Sequence, residues 1–196
     1  MKKIILVSLI ALTGLSLTSF VHKKEKELKI NTNVSSVEWI GKKVTGQHTG
    51  TINIKEGNLQ IVDGIISTGK VLIDMNTITN IDMEGEWSQK LIGHLNSTDF
   101  FDVKNFSIST LEITSVKNIE GNKYTVTGNL TIKGIIKPIE FPATIEIKDG
   151  KIAAFAEVKV DRTLYDIKYG SGKFFEGLGD KMIEDEFIIK FKIAAE

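Results

Sequence analysis

From about Ser35 to the end of the chain, apolar side chains return at every second position in short runs, and no other feature restricts the fold as strongly. Alternation of this kind is the mark of half-buried β-strands. It is found over 37–44, 49–55, 59–65, 70–75, 106–114, 123–133, 138–148, 151–160 and 185–193. Glu56-Gly57-Asn58, Glu120-Gly121-Asn122 and Asp149-Gly150 separate runs and read as turns, the last being a favoured two-residue hairpin loop. Many strands joined by short turns, with only 2 prolines in 196 residues, predict an all-β antiparallel sandwich or a closed barrel of about eight strands.

One stretch breaks the rhythm. In EGEWSQKLIGHLNS, Trp87, Leu91 and Leu95 recur every four residues, which places them on one face of a short helix. A single helix among the strands is expected to cover one end of the barrel. GHLNSTDFFDVKNF follows, turn-forming in composition yet carrying Phe100, Phe101 and Phe106. These rings are expected to form an apolar floor beneath the helix, either as core or as wall around a ligand.

The strand faces describe the interior. One face carries Ile152, Ala154, Ala156, Val158 and Val160; another Val126, Gly128, Leu130 and Ile132; a third Phe187, Ile189, Phe191 and Ile193. A closed barrel of about eight strands is either filled by side chains or holds one small ligand. Gly128, Ala154 and Ala156 are too small to fill its centre, which favours a cavity. The alternative is interdigitation of Phe187 and Phe191 with these small residues, leaving a filled barrel that serves interactions instead.

The amino terminus has the layout of an export signal: Lys2 and Lys3, then an apolar run from Ile4 to Val21. Residues 1–21 are expected to be a signal peptide, the alternative being an uncleaved anchor. Residues 22–33, including HKKEKELK, read as a charged spacer, and 34–196 as the folded domain. With no cysteine the chain is not a lipoprotein, and disulfides, zinc-thiolate sites and a thiol nucleophile are excluded. The 25 Lys and Arg balance the 25 Asp and Glu, so no basic footprint for nucleic acid exists.

Catalytic motifs fail on inspection. None of His22, His48 and His94 has a second histidine or a carboxylate at metal-ligand spacing, so no metal is expected. A lipid-directed hydrolase would have to rest on His94 and nearby carboxylates. In YGSGKFFEGLGD, Ile167 and Phe174 stand where a P-loop needs Gly and Ser or Thr, and Tyr169 where a nucleophile elbow needs Gly. No enzyme and no cofactor are expected.

Three segments in order, HLNSTDFFDVKNF, VTGNLTIKGIIKPIEF and VDRTLYDIKYGSG, resemble the YceI-like family of exported bacterial proteins, and the likeness runs from about Val34 to the C-terminus. Two departures stand out: Phe106-Ser107 occupy the place of the family's usual Tyr-Pro pair, and Asp166 stands where a glycine is common. The resemblance implies a lipocalin-like antiparallel barrel with an elongated cavity, binding a polyisoprenoid or other long-chain amphiphilic lipid in the periplasm, without enzymatic activity. On that reading Arg162 is the expected headgroup cation, with Asp161, Tyr165 and His94 beside it. A homodimer and passing contact with a membrane surface are the further expected partners.

Overall fold

The computed structural model describes residues 24–196; the expected signal peptide, 1–21, lies outside the described residues. Nine strands form one antiparallel sheet: β1 (Glu25–Lys29), β2 (Ser36–Lys43), β3 (Gly46–Val62), β4 (Ile65–Asp74), β5 (Ile108–Glu120), β6 (Lys123–Ile132), β7 (Ile135–Lys148), β8 (Lys151–Asp161) and β9 (Glu186–Ala195). Their order is β1-β3-β2-β9-β8-β7-β6-β5-β4, and β4 pairs back onto β3. That last pairing closes the barrel and removes the exposed edges an open sheet would present.

Nine strands make eight staves because β1 and β2 share one. Both run antiparallel to β3, β1 along its second half (Lys29 opposite Asn58) and β2 along its first (Val37 opposite Ile52). Part of the expected spacer is therefore corrected: Glu25–Lys29 supplies the lower half of a stave, and Ile30 bridges to Ala195. Leu28, 2% exposed, and Ile30 enter the core between charged neighbours, while Lys29 and Glu196 exchange backbone hydrogen bonds of 3.0 Å. The charged composition hid a two-residue alternation whose apolar members point inward.

A second correction concerns Glu56-Gly57-Asn58, which is no turn. The runs 49–55 and 59–65 are largely one strand, β3, with a bulge at Lys55, since Ile54 pairs with Ile73 and Glu56 with Leu72. An extra residue reverses which parity faces inward, so Ile52 and Ile54 hand over to Leu59 and Ile61. Gly57 is needed there because a Cβ would lie 2.6 Å from Ile30 Cδ1 and 2.8 Å from the Lys70 carbonyl oxygen. True turns occur at Asp63-Gly64 and Asp149-Gly150, where both residues have positive φ, matching two-residue hairpins.

Outward positions carry charge, including the cross-strand pairs Lys70–Glu112 (2.9 Å) and Lys190–Glu157 (3.8 Å). One helix, α1 (Gly85–Asn96), lies in the connection between β4 and β5. Burial along its apolar stripe rises from exposed Trp87 through half-buried Leu91 to buried Leu95, so its C-terminal turn is the part that meets the barrel.

Candidate functional site

The bore contains two cavities. The upper one, beneath α1, measures about 130 Å³, roughly ten times what one water molecule needs. Its wall is built from inward positions of the staves: Val37 and Trp39 of β2, Leu130 and Ile132 of β6, Val158 and Val160 of β8, Phe187 and Ile189 of β9. Leu95, Phe100 and Phe101 roof it. The lower cavity, about 70 Å³, is lined wholly by apolar residues, among them Leu59, Val126, Ala143, Ala154 and Ala156. Leu111, Phe141 and Phe191 line both and form the waist between them.

The roof shows how the polar stretch after α1 folds its rings inward. Ser97 ends the helix through Oγ donating to the His94 carbonyl (2.8 Å), and the backbone N–H of Phe101 returns to the Leu95 carbonyl (3.0 Å). Asp102 sits at φ 47 and accepts from the backbone N–H groups of Asn105 and Phe106. These tight turns consume the polar groups. Phe100 packs edge-on to His94 (5.0 Å between centroids), and Phe101 edge-on to Phe187 (6.2 Å).

The barrel wall is irregular along the β2–β9 seam. The β2–β9 ladder runs to Ile40 opposite Ile188 and is rejoined at the Lys43–Ile183 bridge, where the Glu184 N–H donates to the Lys42 carbonyl (2.9 Å), so that Gly41 alone faces the bulged 185–187 segment. Around this bulge Gly41, Lys42, Glu184, Glu186 and Phe187 line the upper cavity, and Glu184 and Glu186 are also exposed to solvent, so the cavity approaches the surface here. The rim therefore carries one ammonium and two carboxylates against an apolar interior.

Arg162 departs from its expected role. Its stem lines the cavity, but the side chain is only 3% exposed and its donors are committed: Nε to the Glu184 carbonyl (3.0 Å), Nη1 to those of Ile167 and Tyr169 (2.9 Å each), Nη2 to that of Ile183 (3.0 Å). Burial lowers the pKa of the guanidinium, with Asp185 and Asp161 opposing. Arg162 is thus a clamp that fastens the 162–185 connection, with its guanidinium carbon 5.8 Å above the Phe100 ring. Lys42, which lines the upper cavity at the bulge, was not among the expected site residues, and the pattern of its strand gives no sign of the irregularity beside it.

Other expected site residues divide clearly. Leu95, Phe100, Phe101, Leu130, Phe187 and Phe191 meet around the upper cavity, while Ala154 and Ala156 line the lower one with Phe191. Trp87, 70% exposed, lies outside both, under Lys90 Nζ at 4.8 Å. Leu91 packs at the core's margin. Phe106 covers the β6–β7 turn, where a Cβ on Gly134 would lie 3.1 Å from its ring. Gly128 gives close strand approach instead of cavity space, since a Cβ would lie 2.5 Å from the Glu112 carbonyl oxygen. Tyr165 is a core residue whose phenol is pushed up to about 12 by burial and by Asp161; Asp161 itself accepts from the Thr163 N–H and hydroxyl. Phe141 and Trp39 were also missed, although Ile139, Phe141, Ala143 and Ile145 show the same alternation used for the other strands.

Titratable groups are arranged for structure. His94 lies between Phe100 and Tyr169 with Asp99 at 4.0 Å, and His48 pairs with Asp82 (2.9 Å) at the surface. Ser171 is fully buried, and its Oγ accepts from the Lys173 N–H (3.2 Å). Among the described residues no cluster of His, Asp or Glu has the grouping of a metal site. The arrangement enclosed by the barrel is one for holding an apolar body, with charge available only at the rim.

Comparison with known proteins follows the same lines. The sequence profile of the YceI-like domain matches residues 28–195. Protein YceI of Salmonella arizonae is 33% identical over 96 residues, 49% of this chain and 48% of that protein. A UPF0312 protein of Pseudomonas putida is 32% identical over 95 residues, 48% and 47% of the two chains. This chain therefore spans about half the length of the curated relatives it matches. Among solved structures, BcnA of Burkholderia cenocepacia superposes with a TM-score of 0.69 at 20% identity, covering 85% of this chain and 99% of that one. A polyisoprenoid binding domain from Saccharophagus degradans superposes with a TM-score of 0.63 at 13% identity, covering 86% and 97%. At such identities the structural likeness is one of fold, and it is the profile match across nearly every stave of the barrel that makes this chain a member of the YceI-like family.

Proposed function

We propose that this protein is an exported carrier or reservoir for a long-chain amphiphilic lipid, a polyisoprenoid or similar, held in the bore with its polar head at the β2–β9 seam. The observation that carries the proposal is the apolar upper cavity approaching the surface beside Lys42, Glu184 and Glu186. The ligand class draws support from the polyisoprenoid binding of the Saccharophagus degradans domain, and the periplasmic location from the charged and apolar layout of 1–21.

Energetics favour a carrier over a trap. Burial stabilises a chain by about 0.8 kcal/mol per methylene against water, so about twenty carbons contribute about 16 kcal/mol before ordering costs. A membrane solvates the same chain equally well, which leaves a small net preference and a reversible exchange. Mass spectrometry of protein purified from its native envelope without detergent, intact and after organic extraction, tests this. An added mass that extracts as a long-chain lipid is expected; a bare polypeptide mass overturns the reading.

A second reading, an envelope interaction protein that dimerises or touches a membrane surface, draws on the exposed rings of Trp87, Tyr169, Phe174 and Phe175. It predicts a stable dimer or vesicle binding by protein whose bore is filled by side chains and holds no lipid, read by analytical ultracentrifugation and co-sedimentation.

A further inference from the structure

We infer that Phe141 and Phe191, with Leu111, form an internal gauge that sets how long a hydrocarbon chain the bore accepts. The inference rests on the binding reading above and concerns what lies below the first cavity. These three residues border both cavities, so the boundary between them falls at two aromatic side chains and a branched aliphatic one. Side chains change rotamer where backbone in a closed sheet does not.

The strand register shows why the constriction falls at this level. Phe191 lies directly across from Ala156, and Ala156 across from Ala143, so two small residues stand in one row beside the ring. Phe141 lies across from Val126 on its other side. Large rings next to short side chains define a narrow passage that ring rotation or removal would widen.

The composition of the lower cavity gives direction. It is lined only by apolar residues and so offers nothing to a headgroup, while the charged rim belongs to the upper cavity. A ligand therefore enters tail first, its head near Lys42 and its end directed at the waist. A chain that stops at Phe141 and Phe191 occupies the upper cavity alone; a longer one has to displace the rings and run along Ala154 and Ala156.

The test uses the prenyl alcohols farnesol, geranylgeraniol and solanesol as probes, with displacement of the apolar dye 1-N-phenylnaphthylamine and native mass spectrometry as readouts. Wild type is compared with Phe191→Ala, Phe141→Leu and Ala156→Phe, each checked for cooperative thermal unfolding. Opening the waist in Phe191→Ala or Phe141→Leu is expected to raise the solanesol-to-farnesol affinity ratio by about tenfold. Filling the lower cavity in Ala156→Phe is expected to lower the solanesol-to-farnesol affinity ratio by a similar factor. Chains that bind every folded variant with an unchanged length preference overturn the gauge while leaving the carrier reading standing. Failure of the dye and of every alcohol to bind wild type overturns both.

Discussion

The two ends of the barrel are built by different means. At one end β3 turns into β4 at Asp63-Gly64, β5 into β6 at Gly121-Asn122, and β7 into β8 at Asp149-Gly150, each a short loop set by neighbouring residues. At the other end, besides the short β2–β3 and β6–β7 turns, the long connections 75–107 and 162–185 carry α1, the aromatic roof and the Arg162 clamp, which combine local turns with contacts between distant residues such as His94 with Tyr169 and Arg162 with Ile183 and Glu184. The lesson is one of division: the hairpin end closes the scaffold through local turn chemistry, and the connection end shapes the cavity through long-range contacts. A ligand site is best placed where the chain is free to vary without disturbing strand register.

The largest expected effect falls on the clamp. Arg162→Ala leaves four carbonyls without their buried donor and is expected to cost about 3–5 kcal/mol in urea unfolding. Arg162→Lys recovers a minor part, because an ammonium cannot span the fork that reaches Glu184, Ile167, Tyr169 and Ile183. Next, Phe100→Ala removes the ring between His94 and Arg162 and is expected to cost about 3 kcal/mol. Phe106→Ala, outside the cavity, provides the contrast with a visibly smaller loss by the same measurement.

At the hairpin end, Gly150→Ala forces a side chain into φ 74 and is expected to cost about 1–2 kcal/mol, with lipid load unchanged by mass spectrometry. A lipid load that falls with Gly150→Ala and survives Phe100→Ala would break the division between the ends.

The smallest effect concerns pH. Burial alone raises the Asp82 carboxyl, but hydrogen bonds from Thr49, His48 and Asn80 outweigh it and hold its pKa below the ordinary value. The charged form is therefore favoured by folding: its stabilisation is present above the unfolded pKa of about 3.9 and is lost as pH falls through the lower folded value. Because the pair is partly solvated, Asp82→Asn is expected to cost about 0.5 kcal/mol at pH 7 and progressively less as pH falls below the unfolded value, followed by thermal melts across that range.

The same division explains how much of the molecule was legible in its sequence. The strands after Ser35, the Asp149-Gly150 hairpin and the single helix are local signals, and each has its counterpart in the barrel. β1 was missed because charged residues outnumber Leu28 and Ile30, and composition outweighed alternation. The bulge at Lys55 was read as a turn because glycine serves both, and only the partner strand distinguishes them. Phe100, Phe101, Phe187 and Phe191 were legible as inward rings, whereas the commitment of Arg162 to four carbonyls was not, since backbone oxygens leave no trace in sequence. The bulge beside Lys42 depends on where the ladder between β2 and β9 is interrupted, a pairing of residues roughly 150 positions apart.

The measurement that bears most directly on the account is a crystal structure of the protein purified from its native envelope without detergent. The account predicts continuous elongated density running from the Lys42 bulge through the upper cavity to Phe141 and Phe191. A bore closed by inward rotation of Phe101, Phe187 and Phe191, with side chains in contact and no density between them, would contradict it.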